Sequence, residues 1–492
     1  MSKDLPAANL SIQDLPSVLT HLFARAQRPL SPATQAPVGL FIRYLRRKPG
    51  RGLAIIYAAD AIRSHATHVS DPHSLISLVV DEAALTGTHL RFSASQARET
   101  PVEVLPSGVL HAPELALCAQ SFPVDARLPA LAASCDMTPQ SPLFTALQTV
   151  ARTQLQDSEW QLDSAQATPV RYKPANRCVI RYHLELEHPV SLAEQSLTIF
   201  GKVYADPTQA KRVQLLQQQL YDEQEQSGMP LLPRPLAIIE PLGLTLHEAV
   251  QPSQRTHDIW GTVRAGTWAL RPQLERGRGG EVIRVIIPEE ELRLTAQALA
   301  RLHTSSSIHP HAATPRTGTK EAQRTKERAQ LLAGHNPEQA VHVQQLAQQL
   351  ASRLEALQPE SYRPAHGGFK ASQLLFHSHQ VIVTDFDGFC LADPALDVGY
   401  FLAYLRPSGL WYQRAGMRQW FETAADIFRQ SYRLTMKTQG VALLSIDGII
   451  SHAKLYEAAL IFKIATRRIN RLNGPRSQEL AAMLSEISSC LS

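Results

Sequence analysis

The chain has 492 residues, a formal net charge of +5 and 44% hydrophobic residues. This length exceeds what one hydrophobic core usually supports, so we expect two or three domains. No run of about eighteen apolar residues occurs, which argues against a membrane-spanning helix. The five cysteines are scattered without metal-ligand spacing, and the N-terminal residues lack the basic and apolar regions of a signal peptide. We therefore expect a reduced, cytoplasmic protein.

The first 150 residues predict an accessory domain and a connecting segment. Residues 1–120 are expected to form a small α/β or mostly β module, and residues 121–150 to join it to the rest of the chain. The stretch Lys48–Tyr57, a Lys-Pro turn followed by a β-type run, is paralleled by Lys173–Tyr182. This match indicates either an internal small-lobe-like repeat or chance. The other β-type runs are Ile76–Val80, His89–Phe92 and Val102–Leu105.

Residues 151–250 predict a β-rich domain with one long helix. The helix is expected from Pro207 to Glu225, with proline in its first turn. Lys202 lies between apolar neighbours in the third β-type run, where a buried ammonium group needs an anionic partner. The alternative is an edge-strand lysine that faces water. The predicted strands are Val170–Pro174, Arg177–Leu186, Leu197–Tyr204, Leu236–Glu240 and Leu244–Val250.

The remainder of the chain predicts an insertion followed by a mainly helical domain. Residues 251–285 contain several glycines and prolines and are interpreted as an insertion or lid. Residues 286–492 show the spacing of apolar residues that is typical of helices. Within them, residues 304–321 are expected to be an exposed loop. The predicted helices are Pro288–His303, 322–334, 337–357, Ile449–Asn470 and Ser477–Leu491.

The stretch that begins at His366 carries the pattern most informative about chemistry. It predicts a loop at His366, a strand Leu374–Phe376, a turn Ser378–Gln380 and a second strand Val381–Thr384 that leads into Asp385. Such a hairpin would bring the loop and Asp385 side by side at one sheet edge. Phosphoryl transfer needs this arrangement to hold a metal ion against nucleotide phosphates and to place the acceptor hydroxyl. The alternative is a plain β-hairpin with acidic residues by chance.

This segment resembles the aminoglycoside phosphotransferase and choline kinase-like family. The family pattern is His-Gly-Asp, then Asn or Gln five residues later, then Ile-Asp-Phe. His366 and Gly367 match its first two residues, whereas Gly368 stands where the family has its catalytic aspartate. The resemblance implies an α+β, bilobal, protein-kinase-like fold. Its small β-rich nucleotide lobe would span residues 151–250 and its large α-helical lobe residues 286–492, after a small N-terminal α/β accessory domain.

The resemblance also implies ATP and Mg²⁺ as cofactors. Gln373 and Asp385 match the family's metal ligands, and Lys202 matches the lysine that binds the nucleotide phosphates. Lys370 occupies a position where many members have His or Lys, and it would orient a phosphate or the acceptor. The hairpin turn at Asn176 would lie over the nucleotide.

The resemblance assigns three further roles. The segment from Glu248 to Val250 is similar to the hinge that binds the adenine edge through backbone groups. Asp393 and Asp397 match a tail that braces the catalytic loop. The acid that orients the nucleotide lysine would fall at 217–219, where the chain has glutamines. Glu223 and Glu225 come one to two turns later.

The predicted function is ATP-dependent phosphorylation of a small-molecule, sugar-like hydroxyl with weakened or lost catalysis. A general base contributes about two to four orders of magnitude to rate, and Gly368 cannot supply one. The alternative is a non-catalytic, nucleotide-binding pseudokinase that acts as a scaffold or regulator and binds a protein partner.

Charge bears on the acceptor. Residues 400–492 hold twelve Lys and Arg against six Asp and Glu. Opposite fields raise encounter rates, so we expect a neutral or anionic acceptor and not a polycationic one. A basic surface also suits nucleic acid, but no aromatic stacking platform accompanies it, and we do not expect nucleic-acid binding.

Overall fold

A computed structural model of the protein shows that the chain divides into two compact units. The first contains the described residues up to Gln214 together with Leu236–Ala249, and the second contains Leu215–Pro235 and most residues from Val250 onward. The described residues are 10–11, 15–25, 40–48, 52–59, 75–86, 89–226, 228, 230–250, 263–276, 282–306, 315–377, 379–469 and 477–492.

The first unit is rich in β-strands. Its strands are β1 Leu10–Ser11, β2 Leu40–Lys48, β3 Gly52–Ala59, β4 Leu75–Val80, β5 Leu85–Thr86, β6 His89–Leu90, β7 Glu103–Val104, β8 Leu110–Ala112, β9 Leu117–Ser121, β10 Gln161–Lys173, β11 Arg177–Glu187, β12 Glu194–Tyr204, β13 Pro235–Ile239 and β14 Leu244–Glu248. Its helices are α1 Leu15–Arg25, α2 Ala94–Glu99, α3 Pro142–Leu155 and the beginning of α4, Pro207–Gln226.

Two larger sheets organise the first unit. One has the strand order β2-β3-β4-β9-β8-β7, and the other has the order β10-β11-β12-β14-β13. In β11, residues of one face are buried and residues of the other are more exposed, as expected for a sheet with one covered face. The buried face, which includes Ile180 and Tyr182, packs against apolar residues of α3 such as Leu147.

Lys48 and Lys173 each end a strand that pairs antiparallel with the next strand of the chain. Lys48 pairs with Gly52 between β2 and β3, and Lys173 pairs with Arg177 between β10 and β11. The internal repeat stays a prediction, and so does the subdivision of this unit at residues 120 and 150. The strand and helix predictions for 161–250 are confirmed to within a few residues, except that β10 begins earlier, at Gln161.

The second unit is mainly helical. Its helices are the end of α4, α5 Gly266–Ala269, α6 Glu289–His303, α7 Gly318–His335, α8 Ala340–Glu355, α9 Ala395–Leu405, α10 Met417–Thr438, α11 Leu443–Ile469 and α12 Ser477–Leu491. Its strands are β15 Arg264–Ala265, β16 Gln273–Arg276, β17 Val282–Ile286, β18 Pro315–Arg316, β19 Arg363–Ala365, β20 Leu374–His377, β21 Gln380–Val383 and β22 Cys390–Ala392. The fold is therefore α+β, with one unit rich in strands and one mainly helical, as predicted.

The predicted loop 304–321 is wrong at its C-terminal end. Helix α7 begins at Gly318, where the Thr317 side chain accepts a hydrogen bond from the backbone N–H of Lys320 as an N-cap. Glu321 is fully buried in the first turn of this helix. Residues 307–314 lie outside the described residues.

The candidate lid is only partly described. Trp268 lies in the short helix α5, and β16 pairs with β17 in a two-stranded hairpin. Trp260 lies outside the described residues. All five cysteines of the chain are free thiols. Within the described ranges, no helix combines the length and apolar character needed to cross a membrane.

Candidate active site

The hairpin of β20 and β21 places Gln373 beside the end of the second strand. Leu374 pairs with Val383 in the antiparallel register. The carbonyl oxygen of Gln373 accepts hydrogen bonds from the backbone N–H of Thr384 at 2.8 Å and from its hydroxyl at 3.1 Å. Gln373 therefore lies opposite Thr384 and next to Asp385, the neighbourhood that the sequence pattern predicts.

Asp385 lies at the point where β21 ends. Its backbone adopts the left-handed conformation, with φ at +69°, and a single turn of 3₁₀ helix from Phe386 to Gly388 follows. A non-glycine residue adopts this conformation at a cost in free energy, although aspartate tolerates it better than most. This turn takes the chain out of the sheet immediately after Asp385, whose side chain is half-buried.

The side chains of Gln373 and Asp385 suit a magnesium ion. Gln373 is 6% exposed, and its side-chain oxygen has no hydrogen-bond partner among the described residues. Leaving a buried carbonyl oxygen without a partner costs free energy, which a bound cation would recover. Mg²⁺ prefers oxygen ligands and is usually held by one or two protein groups together with substrate phosphates. The two residues fit that requirement.

His366 is buried in the loop before the hairpin. Its Nε2 lies 3.0 Å from the carbonyl oxygen of Thr384, so Nε2 carries the proton in the neutral ring. Its Nδ1 has no hydrogen-bond partner among the described residues. Burial lowers the pKa of His366 from its usual value, although the Asp397 carboxylate opposes that shift. A neutral His366 therefore links its own loop to Thr384, the residue that follows β21.

The two glycines after His366 differ in what their positions allow. Gly367 has φ at +70°, and a Cβ there would lie 2.0 Å from the carbonyl oxygen of Gly388. Gly368 does not have a left-handed φ, and its Cβ would meet only Gln373 Nε2 and His366 Nδ1, each at 3.8 Å. Gly367 is therefore required by the backbone, whereas a side chain at 368 has room.

Asp397 anchors the loop that begins at His366. Its Oδ2 accepts hydrogen bonds from the backbone N–H of His366 at 2.6 Å and of Gly367 at 3.3 Å, and its Oδ1 accepts from Phe369 at 3.5 Å. The Asp397 carboxylate is fully buried, with His303 Nε2 at 3.6 Å. Burial by itself would raise the pKa of Asp397, but the neighbouring His303 and Arg316 outweigh it and lower this pKa below its usual value. The predicted brace is confirmed.

Asp393 braces the same region through a second histidine. Its Oδ1 accepts a hydrogen bond from the backbone N–H of Ala395 at 2.9 Å, and its Oδ2 lies 3.0 Å from His452 Nδ1. The hydrogen bond to Asp393 raises the pKa of His452. His452, which comes from α11, was not predicted, because its contact with Asp393 depends on tertiary packing alone.

Lys370 lies against two aromatic rings of α9. Its Nζ is 5.9 Å from the ring centre of Tyr400 and 5.5 Å from that of Tyr404. These distances are typical of cation–π contacts. The predicted role of Lys370 in orienting a phosphate or acceptor stays a prediction.

Lys202 lies in the first unit, on β12, and is half-buried. Its buried chain neighbours Gly201 and Val203 point to the opposite face of the sheet. Its Nζ lies 5.3 Å from the ring centre of Tyr204. Burial, and then the Lys202 charge, lower the pKa of His247 to about 4. That Lys202 binds the nucleotide phosphates stays a prediction.

The turn at Asn176 has its backbone donors engaged within the protein. The N–H of Asn176 donates to the carbonyl oxygen of Lys173 at 3.1 Å, and the N–H of Ala175 donates to Asp125 Oδ2 at 2.8 Å. Asp125 is buried and also accepts a hydrogen bond from the Tyr172 hydroxyl at 2.8 Å. No local sequence pattern predicts a role for Asp125. That the turn covers a nucleotide stays a prediction.

The other predicted groups are also located. Glu248 is exposed and ends β14, and Val250, half-buried, follows two residues later. Glu223 of α4 accepts hydrogen bonds from the Ser305 hydroxyl and from the N–H and hydroxyl of Ser306. Glu225 accepts one from the Tyr221 hydroxyl at 3.3 Å.

Residues 207–429 match the phosphotransferase enzyme family. The matched region contains the whole segment from His366 to Asp397 and ends before His452, and Lys202 precedes it. This part of the chain, a little under half of its length, is therefore similar to that family. Comparison with curated proteins finds no significant match.

Several solved structures resemble the chain at low identity. A putative aminoglycoside phosphotransferase from Ralstonia eutropha is 14% identical over 72% of this chain and 98% of its own, with a TM-score of 0.43. A glucosamine kinase is 14% identical over 98% of both chains, also at 0.43. A choline/ethanolamine kinase family protein from Mesorhizobium loti is 12% identical over 63% of this chain and 85% of its own, at 0.34. TM-scores this low add no argument to the family match.

Proposed function

We propose that this phosphotransferase-family protein binds ATP with Mg²⁺ and phosphorylates a hydroxyl of a small molecule, with a transfer step weakened by Gly368. The observation that carries the proposal is the pairing of Gln373 with Asp385 at the end of the hairpin. The side-chain oxygen of Gln373 is buried and has no hydrogen-bond partner among the described residues. Gln373 lies opposite Thr384, and Asp385 is the next residue along the chain. Both groups offer the oxygen ligands that Mg²⁺ prefers.

Each predicted site residue has a distinct role in this proposal. Gln373 and Asp385 hold Mg²⁺, which would neutralise charge on the nucleotide phosphates. His366 and Asp397 fix the loop, the first through Thr384 and the second through backbone N–H groups. Lys202 binds nucleotide phosphates, and the segment Glu248–Val250 binds the adenine edge through its backbone.

In this proposal, Gly368 slows the transfer step because it supplies no general base. A carboxylate there would accept or orient the proton of the acceptor hydroxyl, and its absence lowers the rate by about two to four orders of magnitude. The backbone does not require glycine at this position, since a Cβ would meet its nearest neighbours at 3.8 Å. The site is therefore complete for binding and incomplete for proton transfer. We place the protein in the cytoplasm and expect a neutral or anionic acceptor.

A non-catalytic, nucleotide-binding pseudokinase is the second candidate. Two observations favour it. Gly368 lacks a base, and the buried carboxylate of Asp125 already accepts the N–H of Ala175 in the turn expected to contact phosphates. A protein of this kind would change its conformation when nucleotide binds and would act through a protein partner.

The deciding experiment is ATP turnover by the Gly368→Asp variant, with Gly368→Asn as a control of nearly equal size that lacks a base. In a weakened kinase, Gly368→Asp raises turnover by about a hundredfold or more and Gly368→Asn does not. ATP affinity is measured in parallel and should stay within a few-fold of wild type in both.

Two other outcomes decide against the leading proposal. Unchanged turnover by Gly368→Asp, with ATP binding intact, would favour the pseudokinase. Rapid phosphotransfer by the unaltered protein would reject both candidates and place the base on another residue, with Asp387 and His366 the first to replace.

A further inference from the structure

Two partly buried cations of the second unit have no carboxylate within pairing distance among the described residues. Arg328 of α7 donates a hydrogen bond to the carbonyl oxygen of Ala459 at 3.2 Å. Lys463 of α11 donates one to the Tyr400 hydroxyl, and its Nζ lies 4.6 Å from the centre of the same ring. Neutral oxygens and a ring face compensate a buried charge only in part.

The surrounding side chains add positive charge. Arg316 and Arg324 both pair with the fully buried Glu321, at 2.7 Å and 2.6 Å. The negative charge of Glu321 is therefore already shared by Arg316 and Arg324, and it neutralises Arg328 and Lys463 only in part. Lys370 and Arg467 complete the cluster, since Lys370 lies over Tyr400 and Tyr404 and Arg467 lies 5.8 Å from the centre of Tyr404.

The electrostatic balance of this cluster favours an added anion. Burial and then the charges of Arg328, Arg316 and Lys370 lower the pKa of Lys463 well below that of an ordinary lysine, with Glu321 opposing. Burial is also the main cause that lowers the pKa of Arg328. A group with negative charge placed among them would relieve this repulsion and gain hydrogen bonds from ammonium and guanidinium donors.

The cluster is joined directly to the catalytic loop. One guanidinium nitrogen of Arg316 donates to the carbonyl oxygen of Gly367 at 2.6 Å. Lys370 is two residues after Gly368, the position that the acceptor hydroxyl is expected to approach. An anion bound at this cluster would therefore lie close to the loop that the acceptor hydroxyl is expected to approach.

We propose that Lys463, Arg328 and Lys370 form a binding site for a phosphate or carboxylate group carried by the acceptor. This inference rests on the proposed phosphotransferase function and narrows its acceptor to an anionic hydroxy compound, such as a sugar phosphate. Tyr400 and Tyr404 form the apolar wall against which the cations are held. The rest of the acceptor extends from this anion towards Gly368.

The test compares Lys463→Met with Lys454→Met, which removes the same charge from an exposed position on the same helix. Thermal unfolding and calorimetric titration are done with inorganic phosphate and with glucose 6-phosphate, against glucose, at constant ionic strength. Phosphate and glucose 6-phosphate should bind to wild type and to Lys454→Met, and glucose should bind at least tenfold more weakly. Lys463→Met should weaken both anions at least tenfold, as should Arg328→Met.

Two readouts distinguish a binding site from a structural contact. Without phosphate, Lys463→Met should be as stable as wild type or more stable, because a buried cation near like charges has been removed. Its affinity for ATP with Mg²⁺ should be unchanged. Loss of ATP affinity in Lys463→Met would assign the cluster to the nucleotide and overturn the proposal.

Other outcomes are equally decisive. No response of wild type to millimolar phosphate and glucose 6-phosphate would reject the site, as would an equal response in Lys463→Met. If wild type binds no ATP but binds phosphate through Lys463, the anion site stands and the proposed phosphotransferase function fails.

Discussion

The side-chain nitrogen of Gln373 lies 3.8 Å from the position that a Cβ on Gly368 would occupy. This is an ordinary van der Waals distance, so among the described residues no contact demands glycine at position 368. The neighbouring Gly367 is the opposite case, because its φ is +70° and a Cβ would collide with the carbonyl oxygen of Gly388.

The first prediction contrasts these two glycines. Gly368→Ala should leave the free energy of unfolding unchanged or raise it by up to about 1 kcal/mol, since alanine reduces the entropy of the unfolded chain. Gly367→Ala should lower it by about 2 kcal/mol or more, through backbone strain and the collision. Urea denaturation of both variants measures the difference. Equal losses in the two variants would show that the loop conformation is misassigned.

A second prediction concerns Asp397 as the anchor of the loop. Asp397→Asn presents an amide nitrogen to backbone N–H donors, and we expect a loss of about 2–4 kcal/mol in the free energy of unfolding. Asp447→Asn, on the exposed pair with Arg433, is the control and should have a much smaller effect. Because folding lowers the pKa of Asp397, its contribution is present above the ordinary carboxyl pKa of about 4 and is lost as the pH falls through the lowered value.

A third prediction is a pH dependence from His452. Folding raises the pKa of His452 through Asp393, so its contribution to stability is full below the ordinary imidazole pKa of about 6.5 and is lost as the pH rises through the raised value. The stability of wild type relative to His452→Gln should therefore fall as the pH is raised from about 6 to 8. Chemical denaturation across this range measures it, and a constant difference between the two proteins would contradict the assignment.

The sequence predicted those parts of the site that depend on local order. Strand alternation, a turn and the spacing from His366 to Asp385 were sufficient to place Gln373 beside Asp385. The strand that carries Lys202 was predicted in the same way, from its run of apolar residues.

Other features required tertiary contacts that no local pattern encodes. Asp125 meets Ala175 across the first unit, and Lys463 comes from a distant part of the chain to lie near Arg316 and Arg328. Glu321 was assigned to an exposed loop because its neighbours are polar, yet those polar neighbours include the arginines that allow its burial.

The central claim is that the hairpin holds nucleotide and metal although the base is missing. Calorimetric titration of wild type with ATP, in the presence and absence of Mg²⁺, tests it most directly, with Asp385→Ala and Lys202→Ala beside it. Saturable binding that strengthens with Mg²⁺ and weakens at least tenfold in Asp385→Ala is the predicted result, and Lys202→Ala should also weaken it. No ATP binding to wild type at millimolar nucleotide would contradict the assignment of both residues.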